Sequence, residues 1–242
     1  IHEVLESRPR HSLSDMARLQ ADVYCRIADT LVALASRSPL ASRAARSAIE
    51  ILAGWDHVLD VESGAAALFE IWFRRHLVPA VLDRAGAPGL SEQIAIPDTD
   101  MIVRLLLSAH RRLGPDPAGA RDALLAETLE SAWHDTRQLL GEDPAAWAWG
   151  RLHLAEFSHP LARHLGPEVS SRCTVGPLPK SGSALTVNNN GYRPTDFRIH
   201  HGVSWRMIVD VGNWDASLVI NSPGQSGDPR SAHFADHSPF NS

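Results

Sequence analysis

Cysteine is nearly absent: Cys25 and Cys173 are the only two among 242 residues, and they lie far apart in sequence. This excludes both a disulfide framework and a cysteine-rich metal site. No apolar run approaches the roughly 20 residues that a bilayer-spanning helix needs, and no charged-then-apolar leader opens the chain. Neither sign of charge dominates, since 28 acidic and 23 basic side chains leave a net charge of −5 spread along the sequence. Without a basic patch to follow a phosphate backbone, nucleic acid is not an expected partner, and neither is a membrane. Internal repeats are lacking, and so is an initiator methionine. The opening run Ile1-His2-Glu3-Val4-Leu5 begins in mid-pattern and reads as part of a longer chain. What is present is an ordinary globular composition, 44% hydrophobic and 21% charged, long enough for one large domain or two smaller ones.

The first two thirds carry helical periodicity. Leu13, Met16, Leu19, Val23, Ile27, Leu31 and Leu34 recur at three- and four-residue steps, which predicts one helix over residues 12–35 with Ser12 or Ser14 as its cap. Ser38-Pro39 stops it, because proline disfavours helix at the residue before it. Further helices are expected over 42–55, 64–84, 99–113 and 119–140, the second of them kinked at Pro79. The Gly- and Pro-rich stretch 86–98 breaks the pattern between them.

Beyond Pro144 the character changes. Trp147, Trp149, His153, Phe157, His159 and Pro160 form an aromatic and histidine-rich junction, and strand patterns follow it. Strands are expected over 184–188, 203–211 and 215–221, the last two joined antiparallel through a tight turn at Gly212, Asn213 and Trp214. The domain reading is a mainly helical lobe at 1–145 and a strand-rich segment at 146–242, giving an α+β fold.

Three segments in this order resemble the penicillin acylase family of N-terminal-nucleophile hydrolases. The first holds Leu19-Gln20-x-Asp22, Gly54-Trp55-Asp56 and the run Ser63 to Glu70. The second is Trp149-Gly150-x-x-His153 with Phe157, His159 and Pro160. The third and most specific runs from Gly202 to Asp210, then through Pro223-Gly224-Gln225-Ser226-Gly227-Asp228-Pro229 to Ser231, His233 and Asp236. The resemblance covers nearly the whole chain and implies the C-terminal part of a β-subunit, whose strands complete a four-layer αββα sandwich. It also implies an amide hydrolase whose amino-terminal Ser attacks the substrate with its own α-amine as base. Ile1 has no side-chain nucleophile, and the implied nucleophile and oxyanion residues lie outside this chain, which alone is expected to be inactive. The implied partners are the upstream α-subunit and N-terminal β-subunit portion of the same precursor, with a small-molecule amide as substrate. Export to the periplasm or beyond the cell follows from the resemblance alone. No cofactor is expected, and a structural calcium of the full protein would draw on residues outside this chain.

Asp210 is the one catalytic candidate. Its position is similar to that of the carboxylate that holds a His near the nucleophile in cephalosporin-acylase-like members, fixing the imidazole tautomer. Strand alternation places it on one face with Ser204 and Arg206, and a structural ion pair is the competing reading. His233 and His237 stand four apart, the spacing that puts two imidazoles on one helix face for zinc, although no Glu lies between them. His153, His159 and His164 raise the same question around a helix-breaking proline. Trp55, Phe69, Trp72, Trp147 and Trp149 read as core rather than an acyl pocket. Ser226, in Gly224-Gln225-Ser226-Gly227, lacks the glycine spacing of a nucleophile elbow and reads as a turn, as does Asn188-Asn189-Asn190-Gly191. Two other functional classes stand beside the acylase: a non-catalytic interaction module that keeps the fold, and a metal-dependent hydrolase built on the histidines.

Overall fold

The computed structural model describes residues 1–94 and 97–238. In chain order the helices are α1 (His2–Glu6), α2 (Leu13–Gln20), α3 (Arg26–Ala35), α4 (Arg43–Ala53) and α5 (Gly64–Ile71). They continue with α6 (Val78–Ala85), α7 (Leu90–Gln93), α8 (Thr99–Leu107), α9 (Pro117–Leu140) and α10 (Pro167–Arg172). The strands are β1 (Leu154–Ser158), β2 (Thr174–Pro179), β3 (Asn190–Tyr192), β4 (Ile199–Gly202), β5 (Trp205–Ile208) and β6 (Leu218–Asn221). Contacts group the chain into two compact units, Cys25–Trp149 and Ile1–Tyr24 with Gly150–Ser242. Residues 1–24, which the sequence reading leaves in the helical lobe, group with the strand-rich part.

In the unit Cys25–Trp149 the helices start where a side-chain oxygen can satisfy free amides. Ser42 Oγ accepts from Ala45 N at 3.0 Å, Ser63 Oγ from Ala66 N at 3.1 Å and Asp116 Oδ1 from Gly119 N at 3.1 Å. α9 lays Leu124, Leu125, Leu129 and Ala132 into the core against Phe69, Trp72 and Phe73, all fully or nearly fully buried. Each large apolar side chain withdrawn from water in this way stabilises the fold by about 1.5–3 kcal/mol. Trp72 and Thr128 satisfy each other inside this core. Trp72 Nε1 donates to Thr128 Oγ1 at 2.9 Å, and that hydroxyl donates back to Leu124 O at 2.6 Å. The run expected over 64–84 is helical throughout, but residues Trp72–Leu77 adopt π geometry. Pro79 explains the wide turn: it has no amide to donate and its ring would strike the carbonyl four residues back, so the ladder loosens before it.

The other unit differs from expectation at several points. The helix expected over 12–35 is two helices. Ser12 caps α2 in a reciprocal box with Asp15, but the helix ends at Gln20. Asp22 Oδ1 then accepts from Tyr24 N at 2.9 Å, a local bond that competes with continuing the helix, and Asp22 O accepts from Asn188 N at 2.9 Å. Residues 184–188 form a turn rather than a strand, held by Thr186 Oγ1 and Ser183 Oγ on nearby backbone groups. The strand expected over 203–211 is confined to β5. That expected over 215–221 begins with a 3₁₀ turn at Trp214–Ala216 and leaves β6 as the strand.

Both helix and strand are present, as the α+β reading requires. Among the described residues the six strands pair as three antiparallel ribbons, β1 with β2, β3 with β4 and β5 with β6. The β5–β6 register sets Met207 opposite Val219 and Arg206 opposite Ile220. Side chains alternate across a ribbon, so Trp205, Met207 and Val219 share one face and Arg206, Ile208 and Ile220 the other. The first face is open to solvent, at 56%, 53% and 59% exposure, while the second is half-buried and meets α2.

Candidate functional site

Arg206 organises the site. Its strand position between apolar neighbours turns the guanidinium inward, where Nη1 donates to Gln20 O, the last carbonyl of α2, and Nη2 to Asn188 Oδ1 at 2.5 Å. Gln20 returns a bond through Nε2 to Met207 O at 3.1 Å, tying helix and ribbon together twice. A cation at a helix C-terminus meets the negative end of the helix dipole, and the Arg206 fork serves two acceptors at once. Asn188 is 1% exposed and sits where the chain passes close to Gly182, whose absent Cβ would lie 2.5 Å from Asn188 O. Gly182 has φ +76, so the position demands glycine both for space and for its backbone conformation. Beside this network lies a largely apolar cleft of about 350 Å³, lined by Ala17, Gln20 and Ala21 of α2 and by Arg206, Ile208 and Ile220.

Asp210 lies two residues beyond the end of β5. Its Oδ1 accepts from Gly212 N at 2.9 Å and Asn213 N at 3.0 Å, and its own amide donates to Ser217 Oγ at 3.1 Å. The side chain thus closes the connection to β6. Ser204, Arg206 and Asp210 do not converge: Arg206 is directed at α2 and Asp210 at its own turn. The turn expected at Gly212, Asn213 and Trp214 is part of a longer link, residues 209–217.

The histidines serve separate purposes. His153 is fully buried and donates through Nδ1 to Phe197 O at 3.2 Å, edge-on to Tyr192. Burial pushes its pKa down to about 4, against the weaker upward pull of that carbonyl, so the ring is neutral. His159 Nδ1 accepts from Leu161 N at 3.1 Å, and His164 is exposed. His233 and His237 are not on a helix: His233 Nδ1 meets Asp236 Oδ2 at 2.8 Å, and His237 Nδ1 donates to Asn221 O at 3.1 Å. Among the described residues no group of three or more His, Cys, Asp or Glu side chains is placed to hold a metal ion. Ser226 Oγ accepts from Asp228 N at 3.1 Å inside a turn. Phe69, Trp72, Trp147 and Trp149 are buried in the helical unit, and Trp55 packs on Phe69 at 5.7 Å between ring centroids.

Two features escaped the sequence reading. Asn188 and Asn190, grouped there with turn residues, are buried, and Asn190 begins β3 while its Nδ2 donates to Ser181 O at 2.9 Å. Arg206 was legible only as a member of a polar face. An arginine alternating with Trp205 and Met207 is the signal that it faces a polar partner within the fold.

Comparison with known proteins places this geometry in context. The penicillin amidase family model matches residues 1–241. The acyl-homoserine lactone acylase QuiP of Pseudomonas aeruginosa is 30% identical over 79% of this chain and 25% of its own length. Its counterpart in Pseudomonas fluorescens is 29% identical over 79% of this chain and 24% of that protein. The penicillin acylase 2 proenzyme of a Pseudomonas species is 30% identical over 98% of this chain and 30% of that protein. The chain therefore spans about a quarter of the length of the QuiP relatives it matches. A match along the full run of described elements, carrying the Arg206 ribbon and the turn closed by Asp210, leaves one conclusion: this chain belongs to the penicillin amidase family.

Proposed function

We propose that this chain is the C-terminal portion of the β-subunit of an amide-hydrolysing acylase, cut from a precursor whose upstream part supplies the nucleophile. The β5–β6 ribbon carries this reading. It has two strands and an apolar face of Trp205, Met207 and Val219 left in solvent. A lone two-stranded ribbon is marginal in water, and an apolar face flanked by unpaired edges invites further strands. Strands from the upstream part of the precursor would extend it into the αββα sandwich. One relative being named a proenzyme supports a processed precursor.

In this reading catalysis begins when the Oγ of the upstream amino-terminal Ser attacks the amide carbonyl and its α-amine takes the proton. The amine leaves, and water hydrolyses the acyl-enzyme. This chain supplies support. Arg206 locks the ribbon onto α2, and Asp210 shapes the link that follows β5. Asp210 Oδ2 is the oxygen left to orient a His of the missing portion, the role that an Asp210→Asn variant tests. The substrate class is a linear acyl amide, for which the relatives' names offer acyl-homoserine lactones and penicillins. Among the described residues no helix is long and apolar enough to cross a membrane, and export remains part of the family reading.

The test is hydrolysis of chromogenic phenylacetyl, glutaryl and long-acyl amides by this chain alone and after co-expression with its upstream sequence. Turnover confined to the co-expressed sample is expected. Turnover by the chain alone would overturn the proposal, as would an upstream sequence lacking an internal Ser that processing exposes.

A further inference from the structure

Lys180 is the only lysine of the chain. It follows β2, its amide donates to His153 O at 3.0 Å, and its side chain is buried, with the residue 4% exposed. Nζ donates to Ser238 O at 3.1 Å, and among the described residues no carboxylate pairs with it. An ammonium carries three donors and a full charge, so one carbonyl leaves both incompletely answered. Burial, and secondarily the nearby Arg206 charge, push the Lys180 pKa below its ordinary value. An anion beside Nζ would relieve both penalties.

The fold provides a place for one. A cavity of about 140 Å³ is lined by Lys180, Asn190, His200, His201, Ser204 and Glu156, among others. His200 and His201 are stacked with centroids 4.8 Å apart, and their Nδ1 atoms lie 3.0 Å from each other. That hydrogen bond requires one Nδ1 to carry the proton and the other to accept it. In the neutral pair the accepting ring must therefore hold its own proton on Nε2, which supplies one N–H donor. Gly191 makes room for this arrangement, because a Cβ there would lie 2.1 Å from the His201 ring. Glu156 does not answer the lysine: Oε1 accepts from Ser158 Oγ at 3.1 Å and Oε2 faces Arg198 at 3.6 Å. Its charge on the cavity wall disfavours a dianion, and the part of the cavity beside Lys180 has room for a group of a few heavy atoms.

We propose that the cavity beside Lys180 binds a small monocarboxylate of the size of formate or acetate, one oxygen on Lys180 Nζ and the other on an Nε2–H of the His200–His201 pair. The assignment does not depend on the acylase reading.

Carbamoylation by cyanate tests it in the protein as its gene encodes it. Isocyanic acid adds across the neutral amine to give a urea with no leaving group, so anything that stabilises the ammonium slows it. The rate at Lys180, read by peptide mass spectrometry, is measured against sodium acetate at an ionic strength held constant with sodium chloride, with a lysine peptide in the same tube as control. Acetate should slow Lys180 saturably, while the control peptide is unaffected and phosphate has no effect. A variant carrying both His200→Phe and His201→Phe keeps rings at both positions but removes the donor whichever histidine carries it, and should raise the acetate midpoint by roughly tenfold, the worth of one charge-assisted bond. A rate indifferent to acetate, equal slowing by phosphate, or a lysine inert to cyanate under every condition would each overturn the proposal.

Discussion

Arg206 Nη2 donates to Asn188 Oδ1 at 2.5 Å, and the Asn188 amide in turn donates to Asp22 O at 2.9 Å, so one buried asparagine connects the β5 ribbon to the end of α2. Arg206→Met removes the donor, leaving the Asn188 amide oxygen with only the long 3.5 Å bond from Asn190 Nδ2 and the Gln20 carbonyl without its guanidinium partner. Urea unfolding should show a loss of about 2–4 kcal/mol. A double-mutant cycle with Asn188→Ala should return a coupling of at least about 1 kcal/mol. Additive losses would mean that the contact contributes nothing of its own.

His153 predicts how stability falls in acid. The folded chain holds the ring neutral down to about 4 because it is buried. The unfolded chain takes up the proton near 6.5. As pH drops below 6.5 the proton therefore favours the unfolded state, and the loss levels off near 4 at about 3 kcal/mol in all. Comparing the stability of wild type and His153→Phe at pH 7.5 and 4.5 isolates this share from the carboxylates. The variant should start lower, having lost the Phe197 bond, but fall less steeply. Parallel slopes would show that His153 is not the sensor.

Thr128 offers a cleaner probe of the helical unit. Its hydroxyl is the acceptor for Trp72 Nε1, deep in the core. Thr128→Val keeps the volume and leaves the indole N–H buried without that partner, at a cost of about 1–3 kcal/mol in thermal or urea unfolding. Thr128→Ser retains the oxygen and should recover most of it.

How much of this was legible beforehand follows the range of the interactions involved. Local signals read well: Ser12, one of the two caps the sequence offers, caps α2, and the helices expected over 42–55 and 119–140 form as α4 and α9. The break after Gln20 was not legible, because the Leu19-to-Val23 spacing continues a helical stripe while Asp22 is committed to Tyr24 and Asn188, the latter 166 residues on. β1 to β4 were missed for a related reason. Residues such as Asn190, Gly191 and His200 have little strand propensity, and their pairing is decided by neighbours distant in sequence. The Asp210 candidate rested on the family resemblance, and only the face assigned to it rested on strand alternation, extended two residues beyond where β5 stops.

Asp210 can be tested through geometry and charge separately. Asp210→Ala removes the acceptor for Gly212 N and Asn213 N and should cost about 1 kcal/mol, as loss of a capping oxygen typically does. Asp210→Asn keeps an acceptor oxygen at that position and should be nearly neutral in stability. In the co-expressed enzyme, Asp210→Asn with near wild-type kcat/KM identifies a turn residue. A kcat drop with unchanged KM and a shifted pH profile would identify a carboxylate that orients a histidine.

The exposed face of the β5–β6 ribbon gives the sharpest contrast between the chain alone and the chain assembled. Met207 and Val219 stand opposite each other and are more than half exposed, so replacing both with lysine removes little that the isolated chain has buried. Exposed substitutions of this kind usually change stability by no more than about 0.5 kcal/mol. The same change disrupts an apolar patch that drives association, so sedimentation should show the isolated variant to be less self-associated than wild type. When the variant is co-expressed with the upstream sequence, the two lysines would have to enter an interior, and recovered acylase activity should fall with the yield of assembled protein. Full activity in that variant would mean that the face remains in solvent in the assembled enzyme, and that the missing strands join the chain elsewhere.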